Sequence, residues 1–162
     1  MSVDLRGAGN ASRQINRLLP ADVEGPHRLI VVEVLTPAGN WSSYPPHEHD
    51  QLGDDEVPLE EIYYFVVVGE NGFALHRTYT ADGEIDETVT VRDDDVFLIP
   101  CGYYGPCVAA PGYDLYYLNV MAGPAPGRRW LICNDPAHAW VIKTWPDQKP
   151  DPSLPLYGGG PK

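Results

Sequence analysis

The sequence has little positive charge and no long apolar run. Its 162 residues carry 23 acidic side chains against 11 Lys and Arg, which gives a formal net charge of -12. A field of that sign repels phosphate backbones and anionic lipids, so we expect neither nucleic acid nor a membrane as partner. The N-terminal residues MSVDLRGAGN lack the apolar segment of a secretory signal. We therefore expect a cytoplasmic protein.

Cysteine is scarce as well. Cys101, Cys107 and Cys133 form an odd set without the spacing of a disulfide framework. We expect reduced thiols, as is usual in the cytoplasm, with a Cys101–Cys107 disulfide as the alternative.

No long amphipathic helix is indicated, whereas 17 prolines and 16 glycines favour short strands and turns. Runs rich in β-branched and aromatic residues alternate with turn signals, among them HRLIVVEVLT, EEIYYFVVV, DETVTVR and YDLYYLNVMAG. This spacing predicts an all-β protein, either an antiparallel sandwich or a barrel. We expect one domain over residues 1–145, which includes an irregular N-terminal arm, and a Pro/Gly-rich C-terminal extension over residues 146–162.

Two histidines and a glutamate form the main candidate site. In the segment NWSSYPPHEHD, His47 and His49 have the same parity, so on an extended chain both imidazoles point to one face. In LEEIYYF, Glu60 and Glu61 must point to opposite faces. If the aromatic residues of that strand face the interior, Glu61 does too, and a buried carboxylate needs a partner.

Two imidazoles and a carboxylate on one side of a β-barrel favour a divalent metal site. The alternative is a solvated histidine loop next to a solvated start of a strand. The sequence does not distinguish Zn, Mn, Fe or Ni as the metal.

At these residues the chain resembles the 5-deoxy-glucuronate isomerase family of inositol catabolism, in the cupin superfamily. The resemblance extends from Arg6 to Trp140 and is carried by segments such as GNWSSYPPHEHD, LEEIYYF and APGYDLYYLNVMAG. For this chain it implies one cupin domain, which is a jelly-roll-like antiparallel β-barrel. It also implies that three His and one Glu hold the metal. It also implies conversion of the aldose 5-deoxy-glucuronate to the ketose 2-deoxy-5-keto-gluconate. His47 and His49 match the family's histidine pair, and Glu61 matches its carboxylate ligand.

Two features depart from the family pattern. Family members usually have two cupins, and the resemblance covers only the C-terminal, metal-bearing half, as expected for a single-cupin relative or an excised domain. The family's last ligand is a His before a Gly-Pro pair, but CGYYGPC has Tyr104 there. Three arrangements are open: Tyr104 lies beside a three-ligand site, the site has lost its metal, or Tyr104 binds the metal as a phenolate.

Three residues are candidates for catalysis or substrate binding. Tyr104, as a phenolate, or His76 would be the base that moves a proton between carbons. Arg77 would bind a substrate carboxylate with two hydrogen bonds, unless it is an exposed strand charge. We expect Tyr63, Tyr116 and Tyr117 to be core aromatic residues.

These features predict a metal-dependent isomerase of a deoxy-sugar acid or a related polyol-derived substrate. One alternative is a diverged metal-dependent cupin enzyme, an oxygenase, lyase or cyclase, with another substrate. The other is a non-catalytic cupin that binds a sugar acid. Because single cupins commonly associate through sheet edges, we expect a homodimer.

Overall fold

Two antiparallel β-sheets enclose the core of the protein. The computed structural model describes residues 2–20 and 22–156. The strands are β1 (Ser2–Arg6), β2 (Arg13–Leu19), β3 (Ile30–Thr36), β4 (Trp41–Ser42), β5 (His47–Glu48), β6 (Glu60–Val67), β7 (Ala74–Tyr79), β8 (Asp86–Val91), β9 (Val96–Ile99), β10 (Tyr103–Ala109), β11 (Leu115–Ala122) and β12 (Cys133–Asn134). Two 3-10 helices, Gly9–Ala11 and Ala139–Asp147, accompany them.

The two sheets have the layout of a jelly-roll-like barrel. The first sheet has the order β1-β2-β3-β11-β6-β9, and the second has the order β12-β5-β10-β7-β8, with β4 also paired to β10. All of these pairings are antiparallel. The prediction of an all-β, cupin-like fold is confirmed.

The inward-facing side chains of β6 and β11 form the centre of the core. Tyr63 and Phe65 on β6 point inward, and Leu115 and Tyr117 on β11 join them through the register Leu115↔Val67 and Tyr117↔Phe65. Phe65 is 0% exposed and Leu115 is 1% exposed. Full burial of such a side chain contributes about 1.5–3 kcal/mol, which holds the two strands in this register.

The N-terminal arm is regular, and the expectation of an irregular arm was wrong. β1 pairs with β2 from Ser2↔Arg17 to Arg6↔Arg13, and β2 pairs with β3. The polar composition of this segment hid the strands, because an outer strand satisfies its backbone groups by pairing and needs only one apolar face.

The described part of the C-terminal extension is bonded to the barrel. Gly9 N donates to Lys149 O at 2.8 Å, and Asn40 Nδ2 donates to Asp151 Oδ2 at 2.9 Å. The predicted division at residue 145 stays a prediction, and residues 157–162 lie outside the described part. No helix of the described chain is long and apolar enough to cross a membrane. All three cysteines are free thiols.

Candidate metal centre and pocket

The second sheet brings two histidines and Tyr104 together in the barrel interior. Tyr104 on β10 is paired with His47 on β5, and His49 follows β5 directly. The ring of Tyr104 lies 4.5 Å from that of His47 and 5.7 Å from that of His49, centroid to centroid. The two imidazole rings are 5.5 Å apart. His49 and Tyr104 are each 2% exposed, so these two side chains are closed to bulk solvent.

The first sheet contributes Glu61 to the same interior. Glu61 is 4% exposed, while its neighbour Glu60 is exposed on the outer face, as strand alternation requires. Asn119 on β11 donates a short hydrogen bond from Nδ2 to Glu61 Oε1. Glu61 and Tyr104 lie close enough to shift each other's pKa, but Glu61 Oε2 and the Tyr104 hydroxyl do not have the geometry of a hydrogen bond.

Burial sets the protonation of these groups. It lowers the pKa of His47 to about 3, and electrostatic repulsion by His49 acts on that pKa in the same direction. It lowers the pKa of His49 to about 4. Burial raises the pKa of Glu61 to about 7, against the lowering effect of the nearby Tyr104, Asn119 and Tyr63 side chains. Burial and then the negative charge of Glu61 raise the pKa of Tyr104 well above 10. At neutral pH both imidazoles are therefore uncharged, and the Tyr104 hydroxyl keeps its proton.

The tautomer of His47 leaves one nitrogen lone pair available. His47 Nδ1 lies 3.3 Å from the carbonyl oxygen of Pro45. A carbonyl oxygen can only accept, so Nδ1 carries the proton and Nε2 carries the lone pair. This backbone support of one ring nitrogen is typical of metal-binding histidines.

Several buried polar atoms of the cluster have no hydrogen-bond partner among the described residues. They are both ring nitrogens of His49, Glu61 Oε2 and the Tyr104 hydroxyl. Buried polar atoms are rarely left unsatisfied, and imidazole nitrogen with carboxylate oxygen is a donor set that suits a divalent transition metal. The residue types therefore fit a metal ion.

The ligand atoms are not yet gathered at coordinating distance. Within the described chain, the group whose potential ligand atoms all lie within 4.8 Å of one another is Glu48, Glu56 and Cys133, not the predicted set. Side-chain rotation of His47, His49 or Glu61 would be needed to bring three donors to a single ion.

A pocket of about 310 Å³ opens beside His47 and Glu61. That volume is at the lower end of the range for small-molecule sites, about 300–1,000 Å³. The other polar residues that line it are Arg6, Arg13, Ser43, Tyr44, Tyr63, Tyr117, Asn119 and Asn134, and the apolar ones include Trp130 and Trp145.

His76 and Arg77 are not among the described residues that line this pocket. His76 is 0% exposed and packs against Phe97 and Tyr63, with ring centroids 4.5 and 5.3 Å away. Arg77 has the opposite parity and lies on the outer face, where its Nη2 is 2.9 Å from Asp86 Oδ1. The structure thus brings His47, His49, Glu61 and Tyr104 together and places the other two predicted site residues elsewhere.

Sequence reasoning missed two features of the pocket. One is a chain of hydroxyls in which Ser43 Oγ lies 3.2 Å from Tyr63 Oη and 3.1 Å from Tyr117 Oη. These two tyrosines belong to the core, as expected, but their hydroxyls also border the pocket. The same expectation for Tyr116 was wrong, because it is only partly buried and its hydroxyl donates to Glu33 Oε1 at 3.1 Å. The other feature is Arg13 at the start of β2, which is buried and contacts Tyr44 and Trp145. Those residues are far along the chain, so no local signal indicates the contact.

Residues 1–141 match the KduI/IolB family. The chain belongs to this family. A 5-deoxy-glucuronate isomerase from Geobacillus thermodenitrificans (strain NG80-2) is 51% identical over 145 residues, which cover 89% of this chain and 52% of that protein. Another from Bacillus subtilis (strain 168) is 46% identical over 145 residues, which cover 87% of this chain and 51% of that protein. The chain thus spans about half the length of these curated relatives.

Solved structures of this family and of other proteins share the fold. The crystal structure of an IolB-like protein from Salmonella typhimurium LT2 is 42% identical, with a TM-score of 0.81, over 86% of this chain and 52% of that one. An oxalate oxidase in complex with glycolate, at 18% identity and a TM-score of 0.54, covers 75% of this chain and 58% of its own, and it is similar in fold alone.

Proposed function

We propose that the chain is a metal-dependent aldose–ketose isomerase of a deoxy-sugar acid, with 5-deoxy-glucuronate as its substrate. One observation carries the proposal: two uncharged imidazoles and a buried carboxylate share the barrel interior, with unsatisfied polar atoms, beside a pocket of small-molecule size. Family membership agrees with it, since the relatives above are named 5-deoxy-glucuronate isomerases. This chain spans about half the length of those relatives, so their activity is carried over to this chain as a hypothesis.

In this proposal His47, His49 and Glu61 hold one divalent ion, and Zn, Mn, Fe and Ni are all compatible with the donor set. When bound, the ion would act as a Lewis acid that polarises the substrate carbonyl and the adjacent hydroxyl. Asn119, which donates to Glu61 Oε1, would fix the direction of the carboxylate. Support of this kind keeps a ligand in place between turnovers.

Tyr104 would be a neutral neighbour of the ligands. Its hydroxyl keeps its proton at neutral pH, because burial and Glu61 raise its pKa. A protonated phenol is a poor ligand but a good hydrogen-bond donor. We propose that Tyr104 donates a hydrogen bond towards the metal ligands, in place of the histidine that the family resemblance implies there.

Tyr63 is the hydroxyl best placed to hold a proton for the substrate. It lines the pocket, and Ser43 Oγ lies 3.2 Å from its oxygen. Burial raises its pKa well above 10, so it acts as a proton and hydrogen-bond donor. In the proposal Tyr63 Oη donates to a substrate oxygen, while Ser43 supports the phenol. The base that removes the carbon-bound proton stays a prediction from sequence, because neither His76 nor Tyr104 lines the pocket and Tyr104 keeps its proton at neutral pH.

The test is turnover of 5-deoxy-glucuronate by the purified chain loaded with Mn, Zn or Fe. Glu61→Gln should lower the rate by about a hundredfold or more, since it removes an anionic ligand and misplaces the ion. Glu60→Gln is the matched control, because this exposed neighbour points outward. Absence of turnover in metal-loaded protein, or equal rates for the two variants, would contradict the proposal.

A diverged cupin enzyme is the second candidate function. The residue at the last ligand position is Tyr104, and two histidines with one carboxylate leave open positions that suit Fe(II) and O₂. Oxygen uptake that depends on an added sugar acid would favour this function. Isomerisation without oxygen uptake would exclude it.

We also propose a homodimer in the cytoplasm. Val96 and Leu98 on edge strand β9 are 57% and 65% exposed, and an exposed apolar edge favours association. Sedimentation at several concentrations tests this: a monomer at every concentration would contradict it.

A further inference from the structure

Arg13 is a buried cation without a carboxylate partner. It is 6% exposed, and its Nη1 donates to the carbonyl oxygens of Ala11 and Tyr44 at 3.0 and 3.2 Å. None of the ion pairs formed within residues 2–20 and 22–156 includes it. A buried charge is costly unless it is paired, so a guanidinium held in this way is suited to an anion from outside the chain.

The donors of Arg13 that remain are the ones a carboxylate would use. A guanidinium carries five N–H donors in a fixed plane, and the hydrogen bonds described for Arg13 use Nη1 alone. The Nε and Nη2 edge is left for a carboxylate, which accepts two parallel hydrogen bonds there. Burial lowers the pKa of Arg13 to about 10, so the group is still a cation at neutral pH.

Arg13 lines the same pocket as His47 and Glu61. Arg6, the other arginine on the wall, is already 3.3 Å from Asp4 and is less buried. The ring of Trp145 lies 5.8 Å from the Arg13 guanidinium and restricts its position. The pocket wall therefore includes one fixed cation and two of the candidate metal ligands.

We propose that Arg13 binds the carboxylate of the substrate and gives the pocket its preference for sugar acids over neutral sugars. This inference rests on the proposed function for the class of ligand, and it names the residue that recognises the acid. The carboxylate lies on the Nε and Nη2 edge of Arg13, and the other end of the sugar reaches His47 and Glu61. Arg77, the clamp predicted from sequence, lies on the outer face and takes no part.

The test compares the binding of D-glucuronate with that of D-glucose, which has a hydroxymethyl group in place of the carboxylate. Titration calorimetry on wild type and Arg13→Met, at equal metal loading, measures both affinities. We expect wild type to prefer glucuronate. Arg13→Met should lower the affinity for glucuronate about 10- to 100-fold and change the affinity for glucose by less than about threefold. Only the acid loses a charge-assisted pair of hydrogen bonds.

Arg92→Met is the matched control. Arg92 is exposed, lies away from the pocket and should keep the wild-type preference. Arg13→Lys separates a binding effect from a folding defect, because it keeps a positive charge at the site but cannot donate two parallel hydrogen bonds. Its glucuronate affinity should fall about three- to tenfold, with glucose unaffected.

Three results would overturn the inference. They are an absence of acid preference in wild type, an equal loss for both sugars in the Arg13 variants, and a loss of acid preference in Arg77→Met but not in those variants. Because binding is measured without turnover, failure of the isomerase assay leaves the inference intact. Turnover of 5-deoxy-glucuronate by wild type, together with unchanged glucuronate affinity in the Arg13 variants, would refute this inference and leave the proposed function standing.

Discussion

Acidification should destabilise the fold through His76, the fully buried imidazole of β7. Its ring packs against Phe97 and Tyr63, and its Nε2 lies 3.4 Å from Thr78 Oγ1. His76 Nδ1 has no hydrogen-bond partner among the described residues. The neighbouring ionisable groups, Tyr63 and Cys107, have pKa values raised by burial, so neither offers an anion to a protonated ring in mild acid.

The size of the effect follows from the pKa of His76, which burial lowers from 6.5 to about 3. The unfolded chain therefore takes up this proton at a higher pH than the folded chain does. Stability is full above the unfolded pKa and is lost as the pH falls from there towards the folded pKa. Between about pH 7 and about pH 5.5, linkage gives a loss of about 1.3 kcal/mol from this one group.

Urea unfolding of wild type and His76→Leu at these two pH values, with EDTA present, measures the effect. The variant should lose about 1.3 kcal/mol less on acidification than wild type, because contributions of His47 and His49 are common to both proteins and cancel. The baseline cost of the substitution also cancels, since each protein is compared with itself. His27→Leu, at an exposed position, is the control and should keep the full loss. An equal loss in wild type and His76→Leu would refute the reasoning.

Three further substitutions test the packing and the ligand support. Gly105→Ala should cost more than about 2 kcal/mol in urea unfolding, because its φ is 101° and a Cβ would overlap Ser43 O; Gly39→Ala, with φ of 80° and open space, should cost clearly less. Phe65→Ala should cost about 3–5 kcal/mol by the same measurement, since the ring is 0% exposed, and a cost below about 1 kcal/mol would contradict its place in the core. Asn119→Ala should weaken Zn binding about tenfold in a chelator competition, and an unchanged affinity would exclude its support of Glu61.

The directions of the candidate ligands could be predicted because they depend on local alternation. His47 and His49 share a face on any extended segment, and Glu61 follows the inward aromatic residues of β6. The same rule was available for Arg77: an inward His76 requires an outward Arg77, so both could not face the pocket. The approach of Tyr104 to His47 depends instead on the register of β10 with β5, which joins segments far apart in the chain. The family resemblance, not the spacing, pointed to Tyr104.

Arg13 and the N-terminal strands could not be predicted for a related reason. Arg13 and Arg17 lie on the same strand, yet Arg13 is buried and Arg17 forms an ion pair with Asp4 at the surface. The two arginines have the same parity, and their distant contacts distinguish them: Arg13 contacts Tyr44 and Trp145 at the pocket wall, whereas Arg17 contacts Trp130. Such contacts are set by tertiary structure, and the polar composition of the segment gives no sign of them.

Elemental analysis after metal loading tests the central claim, a metal ion held by His47, His49 and Glu61, most directly. Wild type and Glu60→Gln should each retain about one divalent ion per chain, and Glu61→Gln should retain far less. Tyr104→His should retain at least as much as wild type, because it adds an imidazole beside the other two. A wild-type protein that retains no metal, or a Glu61→Gln variant that retains as much as wild type, would contradict the account.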